Sequence, residues 1–179
     1  MINNRPTFQK TSNGKMKYQQ GLFLPKNPEK VIKMNNQGGL FYRSSWEKRL
    51  LIYFDVNTDI IKYGSEFMHI KYTLPKIEDG IVRYSEHRYF PDFYYELQRK
   101  DGTVAKVLVE VKPLKETQMP VLSEKYSHKQ LKNFEYDMDM WNKNIHKWDA
   151  AIKYCEARGM EFVIVTEDFL NNLSKRYNI

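Results

Sequence analysis

A single cysteine, Cys155, in 179 residues excludes an internal disulfide and a cysteine-built zinc cluster. No apolar run reaches the roughly 18 residues of a membrane helix, and the opening MINNRPTFQK lacks the apolar stretch of a secretory signal. No internal repeat is visible. Acid is nearly missing from residues 1–33, where Glu29 stands against seven basic residues, whereas residues 34–179 hold 22 basic against 21 acidic residues. The net charge of +7 is therefore concentrated at one end. What is present is enough for a core: 41% hydrophobic residues, with aromatics at 15%, argue against wholesale disorder. The length suits one compact domain, and the expectation is a soluble intracellular protein without a membrane partner.

The basic end is rich in Asn, Gln and Pro and has no helical or strand period, so residues 1–39 read as a flexible arm and 40–179 as a single domain. Arm lysines such as Lys15 and Lys17 suit contact with phosphates, which releases counterions from a polyanion. A solvated tail that aids solubility is the plainer alternative.

Within 40–179, Ser44-Ser-Trp-Glu47 has the form of a capping box, and Leu50, Leu51 and Phe54 follow at helical spacing. A helix is expected over 45–57. A short strand at 60–63 and a longer one over 67–77 lead to Asp79-Gly80, a strong hairpin turn. The return strand runs from Ile81 to Phe90, Pro91 marks an edge or bulge, and Phe93 to Leu97 resume the strand. After Asp101-Gly102 comes the clearest strand, 104–112, ended by Pro113. Residues 113–136 read as a long polar connection with one short helix. A helix over 137–158 is expected to bury Trp141, Ile145, Trp148, Ile152 and Cys155, with Gly159 as its cap. A buried strand at 161–166 and a short helix close the chain. The expectation is an α/β (α+β) fold, a mixed sheet of antiparallel meander plus one crossover strand flanked by helices.

Chemistry concentrates at Pro91-Asp92 and Glu110-Val111-Lys112. Along a strand Glu110 and Lys112 share one face, while Ala105, Val107, Val109 and Val111 make the other wholly apolar. Two charges on the second face of a central strand suit a site better than a stabilising ion pair. Register decides the rest. A three-residue loop, Lys100-Asp101-Gly102, sets Arg99 opposite Thr103 and Asp92 opposite Glu110. A two-residue loop sets Lys100 opposite Thr103 and Asp92 opposite Val111. In the first case the two carboxylates converge beside a lysine, as a hard divalent cation requires. Glu47 is either a cap or a third acid, since it lies beside the stripe of Leu50, Leu51 and Phe54.

An acid on an early helix, Pro-Asp on one strand and Glu-x-Lys on the next resembles the PD-(D/E)xK nuclease superfamily, which has a restriction-endonuclease-like core. Tyr42-Arg-Ser-Ser-Trp-Glu47, Arg88-Tyr-Phe-Pro-Asp-Phe93, Val109-Glu-Val-Lys-Pro113, Trp148-Asp-Ala-Ala151, Cys155-Glu156 and Arg158-Gly159 are similar to the head completion nucleases of T-even-type tailed phages. A more distant similarity is to transposon end-cleaving endonuclease subunits. The resemblance spans about residues 40–170 and implies a Mg2+-dependent DNA endonuclease, with Mn2+ able to substitute. Asp92, Glu110 and the Val111 carbonyl would hold the metal, Glu47 would bind a second ion directly or through water, and Lys112 would orient the attacking water. Glu66 is a weaker, secondary acidic match. Arg43, Lys48, His87 and Arg88 flank these motifs and suit DNA contact, though a solvated helix end serves equally for Arg43 and Lys48. The resemblance also implies portal or head–tail connector partners, action in the host cytoplasm during assembly and retention in the virion. With no base-reading motif visible, little sequence specificity is expected. The alternative is a structural head component whose acidic site is vestigial. His69, His128 and His146 have no partners at ligand spacing.

Overall fold

The structure is a computed structural model that describes residues 19–177. A four-stranded sheet organises it: β3 (Ile60–Ser65), β6 (Phe93–Gln98), β7 (Val104–Val111) and β8 (Glu161–Val165), in the order β3-β6-β7-β8. The first three run antiparallel and β8 joins β7 in parallel. That parallel neighbour requires a crossover, supplied by the helix α2 (His128–Glu156). The helices α1 (Ser45–Val56) and α3 (Glu167–Tyr177) cover the opposite face. This is the α+β class, a mixed sheet flanked by helices, that the element order implies, and it is consistent with the restriction-endonuclease-like core that the resemblance implies.

The alternation along β7 divides the core. Ala105, Val107 and Val109 join Leu50, Leu51 and Phe54 of α1 and Leu170 and Leu173 of α3. The Phe54 ring lies 5.0–5.9 Å from those of Tyr63, Phe93 and Tyr95, so truncating it to Ala should cost about 3–5 kcal/mol. On the other face, Leu108 and Tyr94 pack with Ala151 and Cys155 of α2.

The antiparallel strands do not form one continuous meander. The strands β4 (Ile70–Glu78) and β5 (Ile81–Tyr89) pair only with each other, so the chain leaves the sheet after β3 and returns at β6. The reason is compositional: β5 is exposed along its length until Tyr89, and a central strand must bury at least one face. Its turn is as expected, with Asp79 and Gly80 at φ +52° and +74°, the left-handed pair that a two-residue hairpin needs. Ile70, Tyr72 and Tyr89 anchor the base of this ribbon against α2 and the sheet.

Two expectations about α2 need correction. It begins nine residues before 137, at a reciprocal capping box between Ser127 and Gln130. Those early turns are mostly exposed, with Leu131 and Phe134 partly buried in a largely polar run. The buried face is Asn144, Trp148, Ala151 and Cys155, rotated from the expected one, and Ile152 is 45% exposed. Small Ala151 is buried because Leu108 and Tyr94 of the sheet come close to the helix there. Gly159, at φ +62°, ends the helix as expected and lets the Met160 N–H return to the Cys155 carbonyl at 2.9 Å.

The expected boundary at residue 39 does not coincide with a break in packing. A short strand β1 (Gly21–Phe23) pairs with β2 (Leu40–Tyr42). Asp55, 1% exposed, accepts the backbone N–H groups of Lys26 and Asn27 at 2.8 and 3.0 Å and the Tyr63 hydroxyl at 3.0 Å. Lys30 Nζ donates to the carbonyls of Asp55 and Asn57, and the Ile32 N–H to that of Tyr63. Residues 20–32 thus carry the polar partners that Asp55, buried on α1, requires. Lys15 and Lys17 lie outside the described residues. Among the described residues no helix is long and apolar enough to cross a membrane.

Candidate active site

The loop between β6 and β7 settles the register. The Arg99 N–H donates to the Thr103 carbonyl at 2.8 Å, the Gly102 N–H to the Arg99 carbonyl at 3.0 Å, and Gly102 takes φ +86°. This is the three-residue loop, and it sets Phe93 opposite Val109. Asp92, one step before β6, then falls opposite Glu110. Buried Pro91, which has no N–H to give to a ladder, fixes the bend from which Asp92 projects.

Asp92 Oδ2 accepts the Val111 N–H at 2.7 Å. Glu110 is 4% exposed; its Oε2 accepts the Tyr89 hydroxyl at 2.6 Å, and its Oε1 meets Lys112 Nζ at 3.2 Å. Burial, and after it the charge of Glu110, push the Asp92 carboxyl well above the ordinary carboxylate range, with Glu47 adding to the rise. Burial pulls the Lys112 ammonium down, but the Glu110 and Asp92 carboxylates outweigh it and hold the lysine above its usual range. The Lys112 N–H is bonded to the Val165 carbonyl at 3.0 Å, so the crossover strand holds this end of β7.

Glu47 serves as a cap. Ser44 Oγ accepts its N–H at 3.1 Å, while its carboxylate accepts Ser44 Oγ–H at 3.0 Å and the Arg43 N–H at 2.8 Å. It is also within electrostatic reach of Asp92 and Lys112, and burial raises its carboxyl above the ordinary range. The cap is thus formed, with its carboxylate at the edge of the site. Among the described residues no three of the His, Cys, Asp and Glu side chains are drawn into one metal-binding cluster; the close acidic pair is Asp92 and Glu110.

The flanking residues are less uniformly placed. Arg43 pairs with Glu66, which sits in a left-handed turn at φ +45° with its N–H on the Asp92 carbonyl at 3.2 Å. That pair braces the Asp92 loop against the start of α1. Lys48 Nζ lies 5.8 Å from the Tyr42 ring centre. His87 and Arg88 are on the ribbon, where Arg88 stands opposite Lys71 and, by alternation, points away from the face on which Tyr89 meets Glu110. The His87 ring lies beside Tyr72 and bonds Ser85 Oγ at 2.8 Å.

Two residues join the site unforeseen. Tyr89 holds Glu110 as described. Lys147 comes from α2, with Nζ 5.8 Å over the Tyr89 ring and Glu110, Lys112, Asp92 and Lys143 as its charged surroundings. No short-range pattern marks either.

This geometry, two facing carboxylates with a lysine beside the second, is carried by a chain whose residues 57–167 match the family model of the TnsA-like endonuclease N-terminal domain. The chain belongs to the TnsA-like endonuclease family. It is also 36% identical to the head completion nuclease of Enterobacteria phage T4 over 153 residues, which are 86% of this chain and 94% of that protein. The span matched to the endonuclease family holds Asp92, Glu110 and Lys112 and begins just after α1, so Glu47 lies outside it. The resemblance drawn from the ordered motifs is thereby borne out.

Proposed function

We propose that this member of the endonuclease family is a divalent-metal-dependent DNA endonuclease with little sequence specificity, acting in phage head completion as the name of its T4 relative describes. The observation that carries the reading is the facing of Asp92 and Glu110 at the open ends of β6 and β7, with Lys112 beside them. The donor set fits a hard cation: two carboxylates face each other, and burial first, then the charge of Glu110, disfavours Asp92 as an anion. Asp92, Glu110 and the Val111 carbonyl would hold Mg2+ or Mn2+, with Glu47 as a more distant acid. When bound, such an ion acts as a Lewis acid on a phosphate oxygen and lowers the pKa of a coordinated water.

The chain's own residues do the rest. The Val111 N–H fixes the Asp92 carboxylate and the Tyr89 hydroxyl fixes that of Glu110, so neither must reorganise as charge develops. Lys112, cationic across the neutral range, orients the attacking water and balances charge on the phosphate. Host cytoplasm during assembly, portal or connector partners and retention in the virion follow from the same family reading.

Incubating supercoiled plasmid with the protein and Mg2+, Mn2+ or EDTA tests this. Nicked or linear DNA should appear with either metal and vanish with EDTA. Folded protein that binds DNA yet leaves every DNA form intact with both metals would favour a structural head-completion role instead. Lys112→Ala should abolish turnover while Mn2+ still binds, because both carboxylates remain.

Glu47→Gln separates capping from charge. The amide still accepts the Arg43 N–H and bonds Ser44, so melting should move little. Loss of cleavage in that folded variant assigns Glu47 to the chemistry; full activity leaves it a cap. We expect loss, because the unaltered carboxylate already senses Asp92 and Lys112.

A further inference from the structure

We propose that Lys147 is a second phosphate-binding lysine of this site, reaching a non-bridging oxygen of the scissile phosphate from α2 while Lys112 approaches from β7. The inference rests on the nuclease reading and adds to it a residue from an element outside the acidic strands. On α2 the buried stripe is Asn144, Trp148, Ala151 and Cys155. Lys147 is three residues after Asn144 and four before Ala151, which places it on the shoulder of that stripe. Its stem is half-buried, and its ammonium lies 5.8 Å over the ring of Tyr89, the tyrosine whose hydroxyl holds Glu110 at 2.6 Å.

Among the described residues no carboxylate lies within ion-pair distance of Lys147. A structural salt bridge therefore does not explain why a cation is kept there. Lys112, by contrast, is already engaged with Glu110 Oε1 at 3.2 Å. Lys147 thus brings an ammonium with three donors and no carboxylate partner to the acidic pair. A DNA phosphate entering this place meets two carboxylates that repel it, and a cation on the α2 side offsets that repulsion. As the phosphate gathers negative charge during hydrolysis, a fixed cation there gains in strength. Lys143, one turn earlier and exposed, extends the same line of positive charge away from the site, where the next phosphate of the strand would run.

Lys147→Met keeps an unbranched stem over Tyr89 and removes the charge, while Lys147→Arg keeps the charge. Three measurements decide the matter: thermal melting, DNA binding in EDTA across a salt series, and plasmid cleavage with Mg2+. Lys147→Met should melt within about 2 °C of wild type. Its log–log salt slope should be shallower by about 0.9, one phosphate contact. Its cleavage should fall by about 10²–10³-fold. Lys147→Arg should restore the slope and most of the cleavage. A Lys147→Met protein that binds and cleaves like wild type overturns the proposal, as does a loss of cleavage with an unchanged salt slope, which would mark a packing role. If the wild-type protein itself cuts nothing with any metal, the nuclease reading fails separately. The salt slope still decides whether Lys147 touches phosphate.

Discussion

Asp92→Asn should be inert as a nuclease and should melt higher than the wild-type protein at neutral pH. Both effects come from one carboxylate. Burial and the neighbouring Glu110 raise the Asp92 pKa in the folded state, so the native protein takes up that proton more readily than the unfolded chain does. The associated stability is complete below the unfolded value of about 3.9 and is lost as pH rises through the raised, folded value. Above the unfolded value the wild type therefore carries the penalty of surroundings that disfavour the charged form. Asparagine retains an acceptor for the Val111 N–H, which now donates at 2.7 Å, and faces Glu110 without a like charge. The melting temperature should rise by about 2–4 °C for each kcal/mol relieved, and the gain should shrink towards about pH 4. Cleavage should drop by at least about a thousandfold, equivalent to about 4 kcal/mol of transition-state stabilisation. Melts from pH 4 to 8 with parallel plasmid assays check both effects. A variant that melts lower at pH 7.5, or that still nicks, contradicts the account of Asp92.

Deleting residues 1–33 should severely destabilise the domain, whereas deleting 1–18 should not. The shorter deletion removes four basic residues, Arg5, Lys10, Lys15 and Lys17, and no acid. It leaves the contacts of Asp55 with Lys26, Asn27 and Lys30 in place. The longer one strips β1 and the backbone donors from an aspartate that is 1% exposed. Leaving such a group without its partners costs about 3 kcal/mol, a fall of about 6–12 °C in melting temperature. Asp55→Ala should produce a loss of similar size in the full chain, since the Tyr63 hydroxyl, on a side chain with no exposure, then has no acceptor. DNA binding by the 1–18 deletion should show a shallower salt dependence, with up to four phosphate contacts removed. Equal melting of the two truncations would show that the Asp55 contacts contribute little.

Much of the site could be read in the sequence because its determinants are local. Asp79-Gly80 and Lys100-Asp101-Gly102 are turn chemistry, and the second sets the register that brings Asp92 opposite Glu110. Alternation along 104–112 separates the apolar face from the charged one. The capping box at Ser44–Glu47 starts α1 where expected. Each signal operates within about ten residues, where backbone sterics and side-chain period decide the conformation.

What the sequence by itself determined, then, is most of the elements from α1 onward, the pairing of β6 with β7 and two possible registers for it, one of which brings Asp92 opposite Glu110. Only the tertiary structure decided the rest. It took β4 and β5 out of the sheet, because β5, exposed until Tyr89, has no face to bury in the middle of one. It drew residues 20–32 into the domain, because a buried aspartate on α1 needs donors from somewhere and the chain before β2 passes within reach. It brought Tyr89 to Glu110 across 21 positions of sequence, and Lys147 to both from a helix that follows a long connection. Those contacts depend on which faces pack together, a balance of burial summed over the whole core that no short stretch of sequence encodes.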